Sequence, residues 1–71
     1  MDVVVVLGKN VRKYRKLRGL TQEQLALDAE MERSYVSDLE RGTRNPSVKA
    51  VARLAEALNI EPHLLLMSIS K

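Results

Sequence analysis

Apolar residues recur at helical spacing along most of the chain, in four blocks and a shorter fifth. In the first block Leu7, Val11 and Tyr14 form one stripe and Gly19 stops it, which predicts a helix over about residues 3–18. Residues 3–6 are four valines, and β-branched residues lose side-chain freedom in a helix. No second strand-like segment exists to pair with them, so the expectation is a helix with a frayed start and one or two exposed valines. In the second block Thr21 is an N-cap, Gln24 completes a capping box, and Leu20 and Leu25 suit a hydrophobic staple. This helix covers about 21–29, with Leu25, Ala26 and Ala29 inward. A very short connection leads to a third helix over 33–41, ended by Gly42. Asn45 before Pro46 is biased away from helix. Ser47 then caps a fourth helix, 48–58, whose inward stripe is Val48, Val51, Leu54, Ala55 and Leu58, with Asn59 as a left-handed stop. Pro62 suits the first position of a last helix, 62–67. The expected fold class is all-α: a compact five-helix bundle in one domain spanning 1–71.

The third block, "RSYVSDLERG", reads Arg33 to Gly42. Val36 and Leu39 face inward, which leaves Ser34, Ser37, Asp38 and Arg41 outward. The connection to the second helix is short enough to force a steep crossing, and Ala26 and Ala29 are small enough to permit it. Two short helices so joined describe a helix-turn-helix. Its second helix enters the major groove by its N-terminal half. There Arg donates in bidentate fashion to guanine, Asp accepts from cytosine N4, and Ser takes either role. Arg33, Ser34, Ser37 and Asp38 satisfy that requirement for base reading. Taken alone, the same residues also describe an ordinary polar helix face.

Seventy-one residues make one small domain with a thin core. There is no cysteine, so neither disulfide nor thiolate metal site braces it, which fits a reducing cytoplasm. No stretch approaches a membrane span, and the valine run lacks the flanks of a secretory signal. The formal charge is +3, from 12 Lys and Arg against 9 Asp and Glu. Six of those twelve cations, Lys9, Arg12, Lys13, Arg15, Lys16 and Arg18, fall within ten residues. That cluster is either a solvated helix face or an electrostatic footprint for nucleic acid, and composition does not choose between them. His63 is the one histidine; it forms no metal site by itself. No paired carboxylates, activated nucleophile, phosphate loop or metal ligand set points to an enzyme. No cofactor, metal or small-molecule ligand is expected.

The blocks "GLTQEQLA" (19–26), "RSYVSDLERG" (33–42), "RNPS" (44–47) and "LAEALNI" (54–60), in this order and spacing, resemble the helix-turn-helix family of phage repressors and Cro proteins, the Xre family. The likeness covers about residues 7–66. "ERSYVSDLERGTRN" and "ALNIEP" are especially similar to restriction–modification controller proteins, and the short form, without an effector or self-cleavage domain, agrees with that. The resemblance implies a lambda repressor-like domain that binds operator DNA as a two-fold dimer. It implies phosphate contacts from Gln22, Tyr35, Arg41, Arg44 and Asn45, base reading by Arg33, Ser34 and Ser37 with Asp38 beside them, and a largely buried ion pair between Arg15 and Glu40. Two positions depart from the family pattern. Glu30 stands where the turn usually has glycine, and Glu32 stands where a Ser, Thr or Asp cap is usual.

The end of the chain, "LLLMSIS", is more apolar than one small core uses. Leu64 and Leu65 are expected inward. Leu66, Met67 and Ile69 are then left outward, and an apolar patch of that kind marks a partner surface; in the family it is the dimer contact. The expected partners are double-stranded DNA and a second copy of the chain, with no membrane. The competing reading is a protein-interaction module, an antitoxin or adaptor that uses the same apolar end.

Overall fold

The computed structural model describes residues 2–68. It has four α-helices: α1 (Val3–Leu17), α2 (Gln22–Ala29), α3 (Arg33–Arg41) and α4 (Val48–Leu58), followed by a 3₁₀ segment, Pro62–Leu66. The helix boundaries differ from the sequence expectation by a residue at α1, which ends at Leu17, and at α2, where Thr21 is the cap and Gln22 the first helical residue. The valine run is helical from its first residue, because the Asp2 carboxylate accepts from the Val4 N–H at 3.0 Å and caps it. Val3 and Val5 are exposed.

Local chemistry sets the ends. Thr21 and Gln24 exchange side-chain and backbone hydrogen bonds in a complete capping box, and Ser47 accepts from the Ala50 N–H. All four α-helices end alike. The residue after the helix end, or one beyond it, is left-handed: Gly19, Glu30, Gly42 and Asn59. In each case the next N–H bonds back five residues: Leu20 to Arg15, Met31 to Ala26, Thr43 to Asp38 and Ile60 to Ala55. This pattern satisfies carbonyls that a helix end leaves open. Leu20, Met31 and Ile60 also pack against the core, so three of the four stops are held by apolar contact as well as by hydrogen bonds.

The core joins Leu7 and Val11 of α1, Leu25, Ala26 and Ala29 of α2, Val36 and Leu39 of α3, Leu54, Ala55 and Leu58 of α4, and Leu65. Two members of the expected α4 stripe are absent from it: Val51 is half-buried and packs against the core, and Val48 lies outside it. Val48 is 86% exposed, and Ala50 is buried instead. At the first helical position Val48 reaches past the packed body and lines a groove with Val3, Leu7, Asn45, Pro46, Val51 and Leu66. The last segment is also corrected. It is 3₁₀, ends at Leu66, and buries Leu65 fully but Leu64 only in part. Its backbone is claimed from outside: Asn10 Nδ2 donates to the carbonyls of Leu65 and Met67, both at 2.8 Å.

Asn10 is 1% exposed and lies three residues after Leu7, on the α1 stripe. Its amide therefore fastens the C-terminal segment to α1 from inside the core. Gly8 is the second unforeseen contact. A Cβ at Gly8 would lie 2.1 Å from the Leu39 carbonyl oxygen and 3.3 Å from that of Glu40. Only a residue without a side chain lets α1 and α3 approach so closely. Gly8→Ala should therefore push α3 off α1 and cost about 3 kcal/mol, the upper end of overpacking penalties. Urea denaturation measures this, and a midpoint equal to the parent's would show that the two helices are not in contact there.

Candidate nucleic-acid interface

The turn between α2 and α3 is built on Glu30, at φ 58° and ψ 49°. The left-handed turn is thus kept without glycine, at a cost of order 1 kcal/mol. Two backbone bonds hold it, Glu30 N–H to Leu27 O at 3.2 Å and Met31 N–H to Ala26 O at 2.8 Å. Glu32 makes no side-chain cap to α3. Small buried Ala26 and Ala29 let α3 lie close across α2, with Val36 and Leu39 inward.

One polar network fixes the inner side of α3. Arg15 Nε donates to Glu40 Oε2 at 2.6 Å and Arg15 Nη2 to Glu40 Oε1 at 3.1 Å. Arg15 Nη1 donates to the Leu20 carbonyl at 2.8 Å. Gln22 Nε2 donates to Glu40 Oε1 at 3.1 Å. The side chains of Arg15 and Glu40 are only 12% and 4% exposed. The network thus ties α3 to α1, to the turn after α1 and to the first residue of α2. Arg15 is drawn out of the basic cluster by this role. Its neighbours Lys9, Arg12, Lys13, Lys16 and Arg18 are all exposed.

The outer side of α3 carries the other candidates. Arg33 and Ser34 are exposed, and Ser37 and Asp38 are half-buried. Arg33 borders a shallow depression with Gly19, Thr21, Gln22 and Glu23, so the N-terminal ends of α2 and α3 meet there. Further along, the Arg44 guanidinium lies 4.6 Å from the centroid of the Tyr35 ring, and Arg41 pairs with Asp38. Tyr35 is half-buried and packs on the core. Asn45 is exposed and stands on the wall of the apolar groove with Pro46 and Val48. Leu66 and Met67 are exposed at the end of the chain; Ile69 lies outside the described residues. His63 is exposed. Among the described residues no three His, Cys, Asp or Glu side chains gather as a metal site, and no helix is long and apolar enough to cross a membrane.

With the helix pair and its outward face in place, the helix-turn-helix family profile matches residues 11–65. The chain belongs to the helix-turn-helix family of Xre and Cro-like regulators. Members of this family are DNA-binding transcriptional regulators and not enzymes. Control protein C.SmaI of Serratia marcescens is 42% identical over 66 residues, 92% of this chain and 79% of that protein. Control protein C.BamHI of Bacillus amyloliquefaciens is 36% identical over 66 residues, 92% of this chain and 82% of that protein. The crystal structure of the restriction–modification controller protein C.AhdI from Aeromonas hydrophila superposes with a TM-score of 0.85 at 45% identity, covering 87% of this chain and 94% of that one.

Two buried residues of α1, Gly8 against α3 and Asn10 against the C-terminal segment, carry sequence signals that are easily passed over. Asn10 is a polar residue on an apolar stripe, and Gly8 is a glycine inside a helix, where it costs about 1 kcal/mol relative to alanine unless packing requires it. The energetics of the buried pair are asymmetric. Removing one partner leaves an uncompensated buried charge, which costs about 3–5 kcal/mol. A chain of this length has about 4–10 kcal/mol in all. Glu40→Ala should therefore lower the unfolding free energy by about 3–5 kcal/mol, read by chemical denaturation followed by circular dichroism. A change under about 1 kcal/mol, the range of exposed pairs, would mean that water already screens the pair.

Proposed function

We propose that the chain is a sequence-specific regulator of transcription that binds a two-fold operator in double-stranded DNA as a homodimer, in the manner of a restriction–modification controller protein. The observation that carries this reading is the division of α3 into two sides. The inner side is fixed by the Arg15–Glu40 network, and the outer side presents Arg33, Ser34, Ser37 and Asp38. Base reading needs both: donors and acceptors of the right kind, and a helix held rigidly enough for their positions to discriminate.

In this reading Arg33, Ser34, Ser37 and Asp38 face base edges. Gln22, with the N-terminal end of α2 that it opens, serves one phosphate, and Tyr35, Arg41, Arg44 and Asn45 serve others. The exposed Leu66 and Met67, with Ile69, form the contact between two copies; the neighbouring groove of Val3, Val48 and Leu66 enlarges the apolar surface available to it. Two copies so joined set their recognition helices about 34 Å apart, one turn of DNA. The names of the similar proteins, control protein C.SmaI and control protein C.BamHI, support the controller role. The protein acts, in this reading, in the cytoplasm, without cofactor or small-molecule effector.

Selection of bound duplexes from a random pool tests the reading as a whole, since the recovered site reports both base sequence and symmetry. A two-fold site with half-sites one turn apart is expected; an asymmetric site or no enrichment contradicts it. Against the selected duplex, Arg33→Ala should cost about 1–3 kcal/mol and relax preference at one base pair, while Arg44→Ala should weaken all duplexes alike and reduce the salt slope by about one. Fluorescence anisotropy over a salt series separates the two. Equal behaviour of the two variants would remove the division into base and phosphate contacts.

A further inference from the structure

The two arginines assigned above to phosphate contact are already paired in the DNA-free protein, and with the same partner. Arg41 Nη2 donates to Asp38 Oδ1, and Arg44 Nη2 lies 3.6 Å from Asp38 Oδ2. Both carboxylate oxygens thus face guanidinium groups, one from α3 itself and one from the loop that follows. The surroundings hold that geometry. Arg41 Nη1 donates to Ser37 Oγ at 3.2 Å. Thr43 donates its N–H and its hydroxyl to the Asp38 carbonyl, at 3.0 and 3.2 Å, which folds the loop back over the end of α3. The Arg44 guanidinium rests on the Tyr35 ring. Asp38 is half-buried in this cluster, with 29% of its side chain exposed, whereas Arg41 and Arg44 are 64% and 46% exposed.

We propose that Asp38 is an internal counter-ion of Arg41 and Arg44 and sets the specificity of DNA binding by restraining them. The inference rests on the reading of the chain as a DNA-binding regulator and adds a role to a residue placed there on the base-reading face. A carboxylate only accepts hydrogen bonds. In the major groove it finds donors at cytosine N4 and adenine N6 and acceptors at most other positions, and the phosphates repel it. On a duplex that offers a donor opposite Asp38, the carboxylate exchanges its arginines for that base, and both arginines turn to phosphate. On any other duplex it either keeps the arginines or is left facing acceptors. Each exposed pair is worth a factor of about 1.4–5 in an equilibrium constant. The restraint on arbitrary DNA is therefore modest per protomer but is applied twice in a dimer.

Asp38→Asn tests this, because the amide keeps the shape, removes the charge and leaves the Thr43 bonds to the backbone intact. Anisotropy titrations over a salt series use a random-sequence duplex and the duplex selected by the wild type. For the random duplex the variant should bind about three- to tenfold more tightly per protomer, with a salt slope steeper by about one per protomer. For the selected duplex it should gain less or lose affinity, so that the ratio of the two narrows. Unchanged or weaker binding to the random duplex, or equal gains on both, overturns the proposal. If the wild type itself shows no preference for any selected duplex, it is the regulator reading that fails. The pairing is then still measured without DNA: the guanidinium N–H resonances of Arg41 and Arg44 shift between wild type and Asp38→Asn if Asp38 holds them, and unmoved resonances overturn the pairing.

Discussion

The buried contact between Arg15 and Glu40 is the interaction on which the rest of this small protein turns. A carboxylate that is almost wholly buried must have its charge and lone pairs met. Here three donors come from two residues: two from the Arg15 guanidinium on α1 and one from Gln22 at the start of α2, while Arg15 also closes on the carbonyl of Leu20. One pose of α3 satisfies all of them. An apolar contact at the same place would stabilise the fold as well or better, but it would tolerate sliding and rotation. The geometry is thus better explained as orientation of α3 than as stabilisation. Gly8 makes the same point by other means, since its missing side chain lets the backbones of α1 and α3 touch.

With α3 held on one side, the chemistry of the other side follows from helical spacing. Val36 and Leu39 point into the core, so Ser34, Ser37, Asp38 and Arg41 point away from it. The loop after Gly42 is tied down by Thr43 and returns Arg44 to the same face. Cations and one carboxylate therefore share a surface where a polyanion would be expected to meet cations alone. A protein that needed only to bind DNA would have no use for that carboxylate.

Most of the fold was legible because most of its signals are local. Thr21 with Gln24, Ser47, Gly42 and Asn59 act within a few residues of themselves, and each starts or ends a helix where its own chemistry says it should. Asp2 is equally local, yet the valines behind it masked its cap. What local pattern did not reveal depends on contacts between distant segments. Val48 has the right spacing to be buried but stands on the wall of an open groove and stays exposed. The last segment is fastened at its end by Asn10, more than fifty residues away, which donates to the carbonyls of Leu65 and Met67. At the site, the outward placement of Arg33 and Ser34 follows from spacing. The shared pairing of Asp38 does not, because it depends on how the loop carrying Arg44 folds back.

The account separates holding α3 in place from keeping the protein folded, and that separation can be measured. The double variant Arg15→Met, Glu40→Leu replaces the buried charges by apolar side chains of similar length. Its stability should equal or exceed the parent's by up to about 4 kcal/mol. Its discrimination between a selected operator and random duplex should nevertheless fall, because α3 is no longer confined to one pose. A double variant that is as stable as the parent and discriminates just as well would show that packing alone orients α3, and would contradict the account.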